Sequence, residues 1–209
     1  MRSVDSQTSN YLNARAGLIT RRFVYVFAKD RTTGDIVPGG FWNGPYTVNV
    51  DVISGQTGVA ETRTYYGSGS LIDVDDINLV SDLTIQTLRI MLTQSNADVN
   101  NIMRGYDVRN APIEVHYGLF DLSTRLLVNK PWPHFVGQIN KSPLKRGKAS
   151  GSGGATVEAV SRSRELTVTN PAKKSDETQK LRSGDRFRQY SNVAGEWSIW
   201  WGEKKNDNS

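Results

Sequence analysis

A chain of 209 residues with 26 basic and 21 acidic side chains can form one sizeable β domain or two small ones, and its net charge of +5 is moderate. The absence of cysteine excludes disulfides, cysteine-ligated zinc and iron–sulfur clusters. Because no apolar run approaches a membrane span and the N-terminus lacks an apolar signal core, we expect a soluble, unprocessed protein, made in the cytoplasm and without a membrane anchor.

The first segment in chain order, residues 1–20, predicts an N-terminal arm or a short helix. Its apolar residues form only a partial stripe, so we expect the segment to dock on a surface rather than to fold alone. The next run, 21–28, is apolar and aromatic on both faces. This pattern is typical either of a central strand or of a strand whose second face meets another subunit. The candidate interface residues on this run are Phe23, Tyr25 and Phe27.

Turn residues then separate two shorter β segments. Gly34 and Asp35 mark the tip of a hairpin. Trp42 follows in a glycine-rich loop, where so large an aromatic side chain is a further candidate interface residue. The run 47–52 alternates in the manner of a half-buried strand, and the side chains expected to point inward are Val48, Val50 and Val52.

The run 83–92 predicts a longer strand, and its apolar pattern changes phase at Gln86 and Thr87. We interpret this change as a β-bulge, or as a strand that passes from one packed layer to another. A short helix is expected at 96–104, with Asn96 as one possible N-cap. Apolar residues recur there at helical spacing, and they are Val99, Ile102 and Met103.

Candidate catalytic or metal-binding residues are few. The two histidines, His116 and His134, have no partner at ligand spacing, and we interpret each as structural or solvated. The acidic cluster at 73–76 resembles a fragment of a calcium loop but lacks its glycine and its closing glutamate, which favours a solvated strand edge. The sequence has neither a nucleophile elbow nor a phosphate-binding loop. We therefore expect no enzymatic activity, no metal and no cofactor.

The segment 141–154 is rich in glycine and serine, and its charged residues are all basic: Lys141, Lys145, Arg146 and Lys148. It predicts a loop that is either solvated or becomes ordered on an anionic partner or nucleic acid. Further aromatic residues are expected at protein–protein contacts, because tryptophan is the commonest interface anchor. These candidates are Trp132, at a strand start or edge, and Trp197, Trp200 and Trp201 near the end of the sequence.

Some eight short strands with turns between them and only short helices predict a mainly β chain built from small barrels. Residues 21–170 would hold the barrels, in tandem or nested. The composition then changes, and 171–209 predicts a C-terminal extension with helical turns and a tryptophan-rich end.

A set of segments has a recognisable spacing of apolar and turn residues, without a catalytic signature: Tyr65-Tyr66, 72–77, 81–88, 106–107, 110–115, 174–180 and 183–190. These segments resemble the baseplate-hub family of long-tailed bacteriophages and gene transfer agents, to which the lambda tail tip protein belongs. The similarity covers most of residues 60–202.

The resemblance implies two small β-barrel hub domains, in tandem or with one inserted in the other. It also implies a trimeric ring in the virion, at the tail tip, that links the distal tail ring to the central fibre or tip. Its partners would be the distal tail protein, the central fibre or tip protein and the tape-measure protein, and DNA would pass through the lumen. Relatives carry a cysteine-bound iron–sulfur cluster, which this cysteine-free chain cannot hold.

Two other functions remain open. One stays within the tail, as a subunit of the hexameric distal tail ring. The other is an OB-like single-stranded nucleic-acid binder, which would use the basic loop with Trp42 and Trp132 as stacking platforms.

Overall fold

A computed structural model describes residues 5–15, 17–78, 82–145, 154–169, 172–191 and 193–196. The chain divides into two compact units, Met1–Thr167 and Val168–Ser209. Over the described residues, all strands lie in the first unit, whereas the second contains turns and short helices. The mainly β class predicted from the sequence is confirmed.

The first unit begins with a short helix and continues with ten strands and short helical segments within the part of the chain that is described. Their bounds are α1 Ser6–Asn13, β1 Leu18–Lys29, β2 Ile36–Trp42, β3 Val48–Ile53, β4 Ala60–Tyr65, β5 Leu71–Val74, β6 Thr87–Thr93, α2 Ala97–Asn100, a π-helix Asn101–Gly105, β7 Pro112–Asp121, β8 Trp132–Lys141, β9 Leu144–Lys145, β10 Gly154–Ser161 and a 3-10 helix Arg162–Thr167.

Most strands form one large sheet with the order β2-β1-β7-β8-β10-β6-β5, in which β9 adds a short pairing to β10. Every neighbouring pair is antiparallel, and β3 and β4 form a separate two-stranded hairpin. Over the described ranges no strand ladder joins β2 to β5, the two ends of the large sheet. The closed barrels expected from the sequence are therefore not found.

The two ends of the large sheet nevertheless approach each other, along a line that we call the seam. The segment between β4 and β5 binds the β2 end. Trp42 N, on β2, donates to Tyr66 O over 3.1 Å, and Tyr66 N donates to Gly40 O over 2.9 Å. Ser70 Oγ, directly before β5, donates to Trp42 O over 3.4 Å. The guanidinium of Arg22, on β1, donates to the carbonyl of Val74 on β5 and lies 3.1 Å from the Asp73 carboxylate. A side chain and a short backbone bridge thus connect the ends where a closed barrel would have a ladder.

One face of the large sheet covers an apolar core. Alternate residues of β1 point into it, as do Leu88, Ile90 and Leu92 of β6. The α2 and π-helix segment lies over this core, and the Asn96 side chain caps it by accepting from the amides of Asp98 and Val99. Residues typical of this core are Val24, Val26, Ile90, Leu92, Val99, Ile102, Met103, Ile113 and Val115.

The opposite face of β1 covers a second, aromatic core beneath the β3–β4 hairpin. The Phe23 and Trp42 rings stack with centroids 5.4 Å apart, and the Tyr65 ring meets Phe23 edge-on at 5.0 Å. Val50 and Val52 of the hairpin close the cluster, which confirms their predicted inward direction. Strand β1 is therefore central, and its second face is covered by this chain's own hairpin.

The strand predicted at 83–92 is shorter than expected. It begins at Thr87, and the Leu83 side chain before it is 76% exposed. Pairing with β10 reaches only to Thr87, so the preceding residues leave the sheet. The phase change at Gln86 and Thr87 therefore marks the start of a strand, and the predicted β-bulge or layer crossing at this position is wrong.

The second unit contains α3, Asp176–Lys180, and a 3-10 helix, Ala194–Glu196. The Ser175 side chain caps α3 by accepting from the amide of Thr178 over 3.3 Å. Acidic residues in its first turn and Lys180 in its last turn match the helix dipole.

Candidate functional site

A buried ion pair fastens the hairpin to the large sheet. Arg63 Nη1, on β4, lies 2.7 Å from Glu114 Oε2 on β7, and the two side chains are 3% and 0% exposed. The Gly55 amide donates to the same carboxylate oxygen over 3.0 Å. A Cβ at Gly55 would lie 2.4 Å from a methyl carbon of Val136, so glycine lets the backbone come this close. The carboxylate is thus held by both a side chain and the backbone.

His116 completes this group of residues, which we call the buried ionic cluster. Its ring is fully buried, its Nε2 lies 2.9 Å from Ile53 O, and Nε2 is 3.5 Å from the Glu114 carboxylate. Nδ1 is buried and has no hydrogen-bond partner. Burial lowers the pKa of His116 below its ordinary value, against the opposing effects of the Ile53 carbonyl and Glu114. Neutral imidazole, with the hydrogen on Nε2 donating to Ile53 O, fits this environment.

Besides Glu114, Arg63 contacts a second carboxylate and two aromatic rings. Its guanidinium also binds the Glu61 carboxylate, at 2.9 Å, and lies 4.4 Å from the centroid of the Tyr25 ring and 5.4 Å from that of Phe27. Burial acts to lower the pKa of Arg63, but hydrogen bonds to Glu114 and Glu61 outweigh it and the pKa is raised. Arg63 therefore stays cationic.

The buried ionic cluster holds the β3–β4 hairpin against β7 and is closed to solvent. Glu114 and His116 are both 0% exposed, so no substrate reaches them in this conformation. Their partners come from β3, β4, the turn after β3, and β7, which are distant in sequence. Its evident role is to set the position of the hairpin over the aromatic core.

The N-terminal helix contacts the loop after β7 through polar groups, whereas Leu12 of its partial apolar stripe is 41% exposed. Thr8 is 2% exposed, the Tyr11 hydroxyl donates to Gly17 O over 2.9 Å, and it accepts from the Leu122 amide over 3.2 Å. Asn129 donates to the Asp5 carboxylate over 2.7 Å. The docking surface belongs to the same chain.

Three leucines remain exposed at this end of the sheet, and we call them the leucine patch. Leu18, Leu122 and Leu126 are 43%, 47% and 69% exposed. Leu18 pairs with Asp121, whose amide donates to Leu126 O over 2.9 Å. The Leu122 side chain lies over Gly17, where a Cβ would come within 3.3 Å of it. The backbone thus holds the three residues in one region.

The predicted interface aromatics have different environments. Phe23, Tyr25 and Trp42 are at most 9% exposed, because the β3–β4 hairpin and neighbouring rings cover them, so within this chain they are core residues rather than surface anchors. Phe27 and Trp132 are half-buried. Trp197, Trp200 and Trp201 lie outside the described residues.

Two of the predicted loop lysines belong to strands. Lys141 ends β8, and Lys145 lies in β9, which pairs with the start of β10. The predicted loop is therefore wrong at these two positions. Arg146 and Lys148 lie outside the described residues. In the acidic segment, Asp73 and Asp76 face Arg22 across the seam, at 3.1 and 3.4 Å.

The buried ionic cluster was not predicted from the sequence. His116 is interpreted there as structural or solvated, and Glu114 and Arg63 have no predicted role. A signal was present in β1, because its run is apolar on both faces and a cover over its second face extends to the adjacent strand. Glu114 and His116 share the phase of β7 that faces the aromatic core, so burial on that side makes them paired residues.

No protein-family model matches the chain, and no curated protein matches it. Within the described ranges, no helix is long and apolar enough to cross a bilayer. Over the same part of the chain, no three His, Asp or Glu side chains are grouped so that they could hold a metal ion.

Proposed function

We propose that this chain is a structural subunit of a long bacteriophage-type tail, a baseplate or tail-tip hub component that forms a ring, with three copies favoured. The ring would link the distal tail ring to the central fibre or tip, with the tape-measure protein as a neighbour. In this proposal the protein is located in the virion, and DNA passes through the ring lumen.

The leucine patch is the observation that carries this proposal. Leu18, Leu122 and Leu126 are 43–69% exposed although the chain has two well-packed cores. Clustered exposed apolar side chains are typical of protein–protein contacts. A ring needs a heterologous contact, in which such a patch meets a different surface of the next copy. The resemblance of segments within 60–202 to tail hubs supports the same assembly.

The large curled sheet would serve as a hub barrel whose seam is completed on assembly. Its ends already approach through Trp42, Tyr66 and Arg22. Small barrels avoid free strand edges by closure, and an incomplete barrel can have its edges covered by a neighbour instead.

Ring formation can be measured directly on the purified chain. We expect mass photometry and negative-stain electron microscopy to show a closed ring, and Leu122→Asp to shift the population to monomer, because a charge in an apolar contact is left unpaired. Leu83→Asp is the matched control, since Leu83 is 76% exposed and lies outside the patch. A wild-type chain that stays monomeric at all accessible concentrations contradicts the proposal.

The mass of the ring separates the hub from the remaining alternative within the tail. Three copies per ring fit a hub, and six fit the distal tail ring. The OB-like nucleic-acid binder needs Trp42 as a stacking platform, and that ring is only 3% exposed. The assembly role is therefore the better supported of the two classes.

A further inference from the structure

The second unit carries a basic recess that no part of the assembly proposal uses. Its volume is about 320 Å³. Four of its lining residues are cationic, and a phenylalanine and small polar groups complete the wall. The lining residues on which the inference depends are Lys173, Lys174, Arg182, Arg188 and Phe187.

The carboxylates near the recess are engaged elsewhere. Asp176 is paired with Arg186 at 3.0 Å and with Lys180 at 3.3 Å, and Lys180 also binds Glu177. Asp185 accepts from Gln179 Nε2 over 2.7 Å. None of these ion pairs involves a cation of the recess.

The recess cations consequently have no ion-pair partner over the described part of the chain. Lys173, Lys174 and Arg182 are exposed, and Arg188 is half-buried. The pKa of Asp185 is lowered mainly by hydrogen bonds from Gln179 and from the Phe187 amide. The charge of Arg182 makes a smaller contribution in the same direction, without an ion pair between the two side chains. Four cations that have no ion-pair partner among the described residues line one recess, and such a concentration of positive charge attracts polyanions.

Exposed aromatic rings identify the kind of polyanion. Phe187 is 86% exposed at the recess, and Tyr190 nearby in sequence is 65% exposed. Cations that track a phosphate backbone beside exposed aromatic faces are the combination that binds single-stranded nucleic acid, because bases stack on the rings without regard to sequence. An acidic peptide would use the charges but has no need of the rings.

We propose that the basic recess of the second unit, with Phe187 as a stacking platform, binds single-stranded nucleic acid without sequence preference. This site is distinct from the leucine patch and from the 141–154 segment. It does not depend on the assembly proposal, because a chain that forms rings without binding nucleic acid, or the reverse, separates the two.

The test is fluorescence anisotropy of a labelled oligothymidylate titrated with the full chain at several salt concentrations. Each phosphate neutralised contributes about 0.7 to the slope of log affinity against log salt for single strands, so four contacts give a slope of about −3. Lys174→Glu with Arg182→Glu is expected to weaken binding by more than about tenfold at low salt and to reduce the slope by roughly 1.4.

The control changes net charge equally but elsewhere. Lys29→Glu with Arg104→Glu alters two exposed cations of the first unit and should leave the affinity within about threefold. Phe187→Ala should weaken binding roughly tenfold and leave the salt slope unchanged, because stacking neutralises no phosphate. Equal losses in both double variants would reduce the effect to overall charge and overturn the assignment.

Two further outcomes also decide against the proposal. Absence of binding at low salt removes it. If polyglutamate displaces the oligonucleotide at equal charge concentration and Phe187→Ala has no effect, the site takes an acidic protein partner and the nucleic-acid assignment is wrong.

Discussion

The two cores on either face of β1 are built on different principles. On one face, Val24 and Val26 belong to a cluster of apolar side chains from the sheet and the α2 segment. On the other, Phe23 and Tyr25 pack under a hairpin that is fastened by Arg63 and Glu114. The first core can tolerate small changes of volume, whereas the second depends on a pair of charges that must be kept or lost together.

The two kinds of interaction have different effects: apolar contacts bury the face of a sheet, whereas the ion pair fixes the orientation of the hairpin. A two-stranded hairpin is marginal alone and needs a surface to pack against. Apolar contacts supply affinity for that surface but little direction. The short, geometrically specific bonds from Glu114 to Arg63 and Gly55 supply the direction, so the aromatic core has a defined cover.

The largest expected effect comes from removing one partner of the ion pair beside the aromatic core. Glu114→Ala should lower the free energy of unfolding by about 3–5 kcal/mol, because Arg63 loses its buried partner. Glu61→Gln should cost less than about 1 kcal/mol, since that carboxylate is 40% exposed. Urea unfolding measures both, and equal losses would contradict the distinct role of Glu114.

A double variant sharpens the same point. Arg63→Met with Glu114→Leu removes both charges and keeps apolar volume, so it should be less destabilised than Glu114→Ala alone. A double variant as unstable as the single one would mean that the charges contribute stability as well as direction.

A smaller effect is expected with pH. The pKa of His116 is lowered on folding. Between the folded and the unfolded pKa, His116 is therefore protonated in the unfolded chain and neutral in the folded chain. Stability is complete above the unfolded pKa near 6.5 and falls as the pH drops toward the lower folded value, each pKa unit being worth about 1.4 kcal/mol. His116→Gln should flatten this decline in urea unfolding curves, whereas His134→Gln should retain it.

The same dependence has a geometric reason. A second proton would go on Nδ1, which is buried without an acceptor. Glu114, 3.5 Å from Nε2, favours the cation, but Arg63 already engages that carboxylate and opposes it. If stability is unchanged between neutral pH and pH 5, His116 is not the titrating group.

The smallest effect belongs to the apolar core. Ile90→Val removes one methylene from a fully buried position and should lower the free energy of unfolding by about 0.5–1.5 kcal/mol. Met91→Val, at a 42% exposed site on the same strand, should stay within about 0.5 kcal/mol of the wild type. Thermal or urea unfolding distinguishes them, and a loss as large as that of Glu114→Ala would remove the contrast between the two cores.

Local patterns predicted much of the fold. The hairpin tip near Gly34, the alternation through Val50 and Val52, and the helix at Val99 all appear, because each depends on period and turn chemistry within a few residues. Leu83 and Ile85 fit an alternating pattern that predicts a strand, and no local signal shows that the ladder with β10 begins only at Thr87.

The candidate site was harder to predict because it is non-local. Arg63 and Glu114 lie far apart in sequence, and only the packing of the hairpin on β7 brings them together. Period alone assigns a polar side chain in a strand to solvent. The opposite result required knowing that the hairpin covers the second face of the large sheet at β1 and β7. The exposure of Leu122 and Leu126 depends in the same way on where the loop after β7 lies.

At the seam, a single long side chain joins β1 to β5 in place of a strand ladder. Where hydrogen-bonded strands meet, one register is fixed by many bonds at once, but here Arg22 reaches across on a flexible side chain to Asp73, Asp76 and the Val74 carbonyl. Such a long cation can follow a change of separation without breaking any strand pairing. A change of distance between β1 and β5 would therefore be taken up by the Arg22 side chain before any strand pairing is lost.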